Sequence, residues 1–173
     1  EIATDLGDRD VRTHAMDAPG GAFAGGVYDN PSLCRDTPMS IDPLRPTFWD
    51  PTAPLTGGVE ARRGYRYAHA GSIYTGFNTI LPPNREVCMQ AGVLSQGVLT
   101  ASSRHQGGAH VLMGDGAVKF ITDSVEAGNS QAPTVWVQNA TSMSINIPGS
   151  QSVYGLWGSL GTRASKETIQ EEL

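Results

Sequence analysis

His105 stands ten positions before the pair Asp115-Gly116, and a histidine with a carboxylate is the smallest set able to act as a base and its orienting partner. As a general base or a metal ligand, His105 would need Asp115 folded back beside it across a chain reversal. The same residues have a plainer use. A histidine ring that hydrogen-bonds a carboxylate or a backbone group can fix the base of a hairpin, and Gly107-Gly108 lets the chain approach closely there. That structural use is the expectation for His105. Asp115-Gly116 itself is turn chemistry, since Asp tolerates a left-handed backbone and Gly accepts one freely.

Asp5, Asp8 and Asp10 place three carboxylates within six residues, hard oxygen ligands of the kind Ca²⁺ takes. Their spacing lacks the glycine and the terminal glutamate of a helix-loop-helix calcium loop. Solvated carboxylates are therefore the default, calcium is the minority reading, and no other cofactor is expected. Ser102 and Ser103 neighbour His105 in the chain, but adjacency does not make a triad. The sequence contains no G-x-S-x-G, no G-x-x-x-x-G-K and no H-E-x-x-H, and its two cysteines are too few for a four-thiolate zinc site. It reads as no enzyme. Trp49, Trp136, Trp157, Tyr65, Tyr67 and Tyr74 are candidates to line a sugar-binding groove, where flat rings stack on apolar sugar faces; a loop-rich domain would use most of them as core. Asn139-Ala140-Thr141 fits a glycosylation sequon.

The elements that must position these residues are short. Val111, Leu112 and Met113 lead into Gly114-Asp115-Gly116, and Val118, Phe120 and Ile121 lead out, which predicts a β-hairpin. His110 alternates with Val111 and belongs to one face of its first strand. Residues 1–60 are crowded with turn formers such as Pro19-Gly20-Gly21, Asp42-Pro43, Asp50-Pro51 and Gly57-Gly58, so long elements cannot fit between them. Short strands are expected around 22–24, Phe48-Trp49, 64–67, 92–101, 134–137 and 142–147, with a helical turn at 124–128 stopped by Gly128. Twenty-one Gly and eleven Pro against 17% charged residues describe a loop-rich β protein. The 39% hydrophobic content argues against disorder. A net charge of −5, with no basic cluster beyond Arg62-Arg63, gives no footprint for nucleic acid.

Three segments together resemble a known family. They are His105-x(9)-Asp115-Gly116, then Tyr74-Thr75-Gly76-Phe77-Asn78-Thr79-Ile80-Leu81-Pro82-Pro83-Asn84 followed by Cys88, and Tyr154-Gly155-Leu156-Trp157-Gly158-Ser159-Leu160-Gly161-Thr162-Arg163-Ala164. This order resembles the H-x(9)-D-G pilin-like family of unknown function from planctomycete bacteria. Positions 1–60 match it more loosely. The resemblance implies a prepilin with an apolar N-terminal helix that anchors it in the membrane and can assemble into a filament. No apolar run here approaches the roughly 20 residues that span a bilayer. The expectation is therefore a C-terminal globular head, residues 1–173 as one extracellular domain of a longer chain, with 165–173 a frayed tail. Its expected fold is α+β, mainly antiparallel β with long Gly/Pro-rich loops.

In that setting Cys34 and Cys88 fit one disulfide, the alternative being two unrelated buried thiols. The resemblance implies a structural subunit of a pilin-like or pseudopilin-like assembly at the bacterial cell surface. Its partners would be identical or related subunits, and it would touch the membrane only through the missing helix. The other expectation is an extracellular module that captures polysaccharide, and exposure of the aromatics on one face would favour it.

Overall fold

The computed structural model describes residues 1–17, 26–27, 29–90, 92–135 and 149–162. Turn formers keep every element short. β1 (Met16–Asp17) runs parallel to β2 (Cys88–Met89), and β2 pairs antiparallel with β3 (Gly97–Val98). β4 (Gly108–Leu112) and β5 (Val118–Thr122) form a separate antiparallel ribbon. Among the described residues three short α-helices, α1 (Leu33–Asp36), α2 (Ser72–Thr75) and α3 (Gly155–Leu160), and one 3-10 turn at Val59–Ala61 complete the set. The fold is α+β and mainly β, with most pairing antiparallel. No helix among the described residues is long and apolar enough to cross a membrane.

Alternation along β2 organises the interior. Cys88 and Met89 point to opposite faces of the strand, and both are fully buried. Cys88 belongs to a cluster with Met16, Trp49, Leu81 and Val98; Met89 joins Ile73, Tyr74, Val87 and Leu99 on the other side. A third cluster gathers Ala109, Val111 and Ile121 of the ribbon around Trp157 of α3. Cys34 and Cys88, 54 positions apart in sequence, form a disulfide with Cα atoms 5.7 Å apart. Closing a loop of that length is worth about 4 kcal/mol in the chain-entropy account. Arg35 reinforces the same junction, its guanidinium 3.8 Å from the buried carboxylate of Glu86.

Arg63 is a structural cation. Fully buried, it donates to the carbonyls of Ile73 (3.3 Å), Gly76 (3.0 Å) and Thr100 (2.9 Å), so it ties α2 to the segment leaving β3. Burial pulls its pKa down to about 10, which leaves it charged at neutral pH.

Several expected elements take another form. Residues 64–67 turn rather than extend, because Gly64 adopts φ 69° and the Tyr65 N–H donates back to the Arg62 carbonyl at 3.3 Å. Residues 124–128 make no helix; Val125 closes a turn onto Thr122 at 3.1 Å, and Gly128 is left-handed at φ 54°. Phe48 and Trp49 form only isolated bridges, to Asp10 and Ile41, and of 92–101 only Gly97–Val98 is a strand. The expectations at 22–24, 136–137, 142–147, Asn139-Ala140-Thr141, Trp136 and 165–173 lie outside the described residues.

Candidate functional site

The hairpin closes through Gly114-Asp115-Gly116. Met113 N–H donates to the Ala117 carbonyl at 2.8 Å and Gly116 N–H to the Met113 carbonyl at 3.0 Å, with Gly116 at φ 89°. This is a three-residue hairpin loop whose left-handed position demands glycine. Asp115 stays out of the left-handed region. Its carboxylate instead accepts the Ala117 N–H at 2.9 Å, the side-chain turn that makes Asp useful there.

At the other end of the ribbon, the fixing residue is Asn84 rather than His105. The Asn84 amide donates to the Gly108 carbonyl (3.2 Å) and to the Asp123 carboxylate (2.7 Å), while its oxygen accepts the Ser103 N–H (2.8 Å). Its own N–H donates to the Ala101 carbonyl at 2.8 Å. One side chain thus holds the entry to β4 and the exit from β5. The sequence offers only a weak local signal for it, an Asn directly after Pro82-Pro83; in the structure Asn84 adopts φ 61°, a conformation in which Asn is enriched. Gly108 is required for space, since a Cβ there would lie 2.2 Å from the Ile121 carbonyl oxygen.

His105 is solvent-facing, with its side chain 74% exposed. Its ring nitrogen lies 3.9 Å from the Glu1 carboxylate, and its backbone N–H donates to Ser103 Oγ at 3.0 Å. Asp115 sits at the far turn. A five-residue strand separates them, about 17 Å at the usual strand rise, so the two do not form a base and its orienting partner.

The ribbon has two unlike faces. Ala109, Val111 and Ile121 face inward onto Trp157. Outward, His110 sits across from Phe120 and Leu112 across from Val118, and the His110 and Phe120 rings meet edge to face with centroids 5.1 Å apart. Leu112 is 70% exposed, Val118 63% and Phe120 44%. The Glu1 carboxylate borders this face, accepting the His110 backbone N–H (2.9 Å) and lying 3.1 Å from its ring nitrogen. These hydrogen bonds, the backbone one foremost, hold Glu1 down at about 2.

The three N-terminal aspartates diverge toward separate cations. Asp5 faces His14 Nδ1 (3.2 Å) and Arg62 (3.7 Å), Asp8 faces Arg104 (3.9 Å), and Asp10 pairs with Arg12 (2.6 Å). Among the described residues no group of three His, Cys, Asp or Glu is arranged to hold a metal. Burial raises the Asp5 carboxyl, but hydrogen bonds from His14 and the Gly7 N–H outweigh it and leave Asp5 below its ordinary range.

The aromatic candidates divide by burial. Trp49, Trp157 and Tyr74 are core residues. The indole N–H groups of Trp49 and Trp157 are committed to backbone carbonyls, Trp49 to His14 at 2.6 Å and Trp157 to Leu81 at 2.8 Å, which removes these two from the candidates for a sugar groove and leaves them as core. Tyr65 (52%) and Tyr67 (88%) are exposed and flank Arg66, which pairs with Glu60 and lies 6.0 Å over the Tyr74 ring.

A family model described as a protein of unknown function (DUF1559) matches residues 1–128. That stretch contains Asn84, the disulfide and the whole β4–β5 ribbon, and ends before α3. No curated protein and no solved structure matches the chain.

Proposed function

We propose that this chain, which belongs to the DUF1559 family of proteins of unknown function, is the globular head of a structural subunit in a pilin-like or pseudopilin-like assembly at the bacterial cell surface. The observation that carries this reading is the outer face of the β4–β5 ribbon. It displays Leu112, Val118 and Phe120 to solvent on the element that the Asn84 hub braces most thoroughly. A contiguous apolar face on a rigid support is what a protein contact uses. The occupant in this reading is another copy of the chain or a close relative, and an apolar helix upstream of Glu1 would make the only membrane contact. His105, Asp115 and the aspartates are structural here, and the chain is not an enzyme.

Analytical ultracentrifugation with electron microscopy across a concentration series tests it. Oligomers or filaments that weaken when Leu112 and Val118 are both changed to Ser support the reading. A protein that stays monomeric up to millimolar concentration contradicts it.

A second reading is polysaccharide capture, favoured by the exposure of Tyr65 and Tyr67. Calorimetric titration with cell-wall glycans would show binding that Tyr67→Ala reduces at least tenfold; heats no larger than dilution would end it.

A further inference from the structure

We infer that the free edge of β5 is a self-pairing strand, through which two copies of this chain join their ribbons into one antiparallel sheet about a two-fold axis. The inference rests on the self-association reading above and adds an edge contact beside the outer apolar face.

The register of the ribbon determines which backbone groups are free. Met113 with Ala117 and Gly107 with Asp123 are hydrogen-bonded pairs, at 2.8 and 2.9 Å, so the ladder bonds between them fall on Val111 with Lys119 and Ala109 with Ile121. The N–H and C=O groups of Val118 and Phe120 and the N–H of Thr122 therefore aim away from β4, toward the open edge. No hydrogen bond reaches them from the described residues. On the β4 edge, by contrast, Glu1 covers the corresponding groups of His110. β5 is exposed along this edge at Val118, Lys119, Phe120 and Thr122, and Val-Lys-Phe-Ile-Thr is a composition suited to a strand. Open edges of this kind recruit another strand unless an unpaired charge or a proline blocks them, so Lys119 admits only a strand that offers it an acidic partner.

Charge selects the occupant and the register. Lys119 is the only charged residue within β5, and Asp123 follows one position past its end. An antiparallel pair of β5 strands centred on Ile121 sets Lys119 directly opposite Asp123 of the second copy, and the symmetry repeats the pairing. In that register Phe120 and Thr122 of the two copies exchange backbone hydrogen bonds, while Lys119 with Asp123 and Ile121 with Ile121 are the close, non-hydrogen-bonded pairs. The Thr122 carbonyl also accepts from Val125, and its second lone pair remains for the partner strand. The register centred on Lys119 would oppose like charges, and those centred on Phe120 or Thr122 would leave Lys119 and Asp123 opposite uncharged residues. Asp123 is held ready by the Asn84 amide at 2.7 Å. The strand carries its own complement, which is the reason the occupant is a second copy.

Cross-linking tests the register. Lys119 and Asp123 are both exposed, and the chain's two cysteines are joined to each other, so no native thiol competes. The double variant Lys119→Cys, Asp123→Cys should oxidise to a reductant-sensitive dimer, whereas each single variant should not. Lys119→Glu should weaken dimerisation about tenfold in sedimentation equilibrium through loss and reversal of two cross-strand ion pairs, and Lys119→Glu with Asp123→Lys should restore it. An assembly that forms without the cross-link, or with equal cross-linking of the single variants, overturns the β5 interface and leaves self-association standing. A monomer at all concentrations with no cross-link overturns both.

Discussion

At the scale of single residues, Asn84 takes the bracing role that the sequence suggests for His105. Asn84 makes hydrogen bonds to Gly108, Asp123 and Ser103 from a left-handed backbone, so Asn84→Ala leaves buried backbone groups unpaired and strains φ. The expected loss is about 2–4 kcal/mol, read as a lower urea midpoint. His105→Ala, at a side chain 74% exposed, should change stability by no more than about 0.5 kcal/mol. An equal loss from both would restore His105 as the brace. Acid stability follows from two carboxyls. Asp5 is held below its ordinary value of 3.8 and Glu1 is lowered from 4.5 to about 2. Both are depressed in the folded state, so their contributions are present above those ordinary values and are lost as pH falls through about 4 toward 2. Thermal midpoints measured from pH 6 to pH 2 should fall in that window, and Asp5→Asn should flatten the decline.

At the scale of elements, the hairpin was legible and the helices were not. The arms Val111-Leu112-Met113 and Val118, Phe120 and Ile121 around a Gly-Asp-Gly turn state a hairpin twice, in the strands and in the loop. α1 and α2 have four residues each, too few for a 3.6-residue period to show. The pattern at 64–67 looked like a strand because Tyr65 and Tyr67 alternate with polar partners; Gly64 at φ 69° turns the chain instead. Within the ribbon, Gly108 faces Ile121 at a distance no Cβ can occupy. Gly108→Ala must push β4 from β5 and should cost roughly 1–3 kcal/mol. Amide exchange at Ala109 and Ile121 should quicken with it. Unchanged protection would mean that the strands are not as close as the register requires.

For the whole molecule, the family match ends at residue 128, but the core does not. Trp157 of α3 fills the third cluster against Ala109, Val111 and Ile121 and hydrogen-bonds Leu81 across 76 positions of sequence. Trp157→Ala should therefore destabilise by about 3–5 kcal/mol, measured by denaturant unfolding. A fragment of residues 1–128 should bind a hydrophobic dye through the uncovered inner face of the ribbon. Cooperative unfolding of that fragment with the midpoint of the whole chain would contradict the placement of α3.

Composition and local pattern by themselves determined the loop-rich, mainly β character, the short elements and the hairpin with its turn chemistry, because these depend on backbone preferences within a few residues of each other. Two cysteines in the chain made one disulfide available without requiring it. Only the tertiary structure decided what the marked residues do. It put Trp49 and Trp157 into the core, sent Asp5, Asp8 and Asp10 to separate cations, separated His105 from Asp115 by the length of a strand, and made Asn84 the junction. Those outcomes depend on contacts between segments distant along the chain, where packing and hydrogen-bond satisfaction prevail over local propensity.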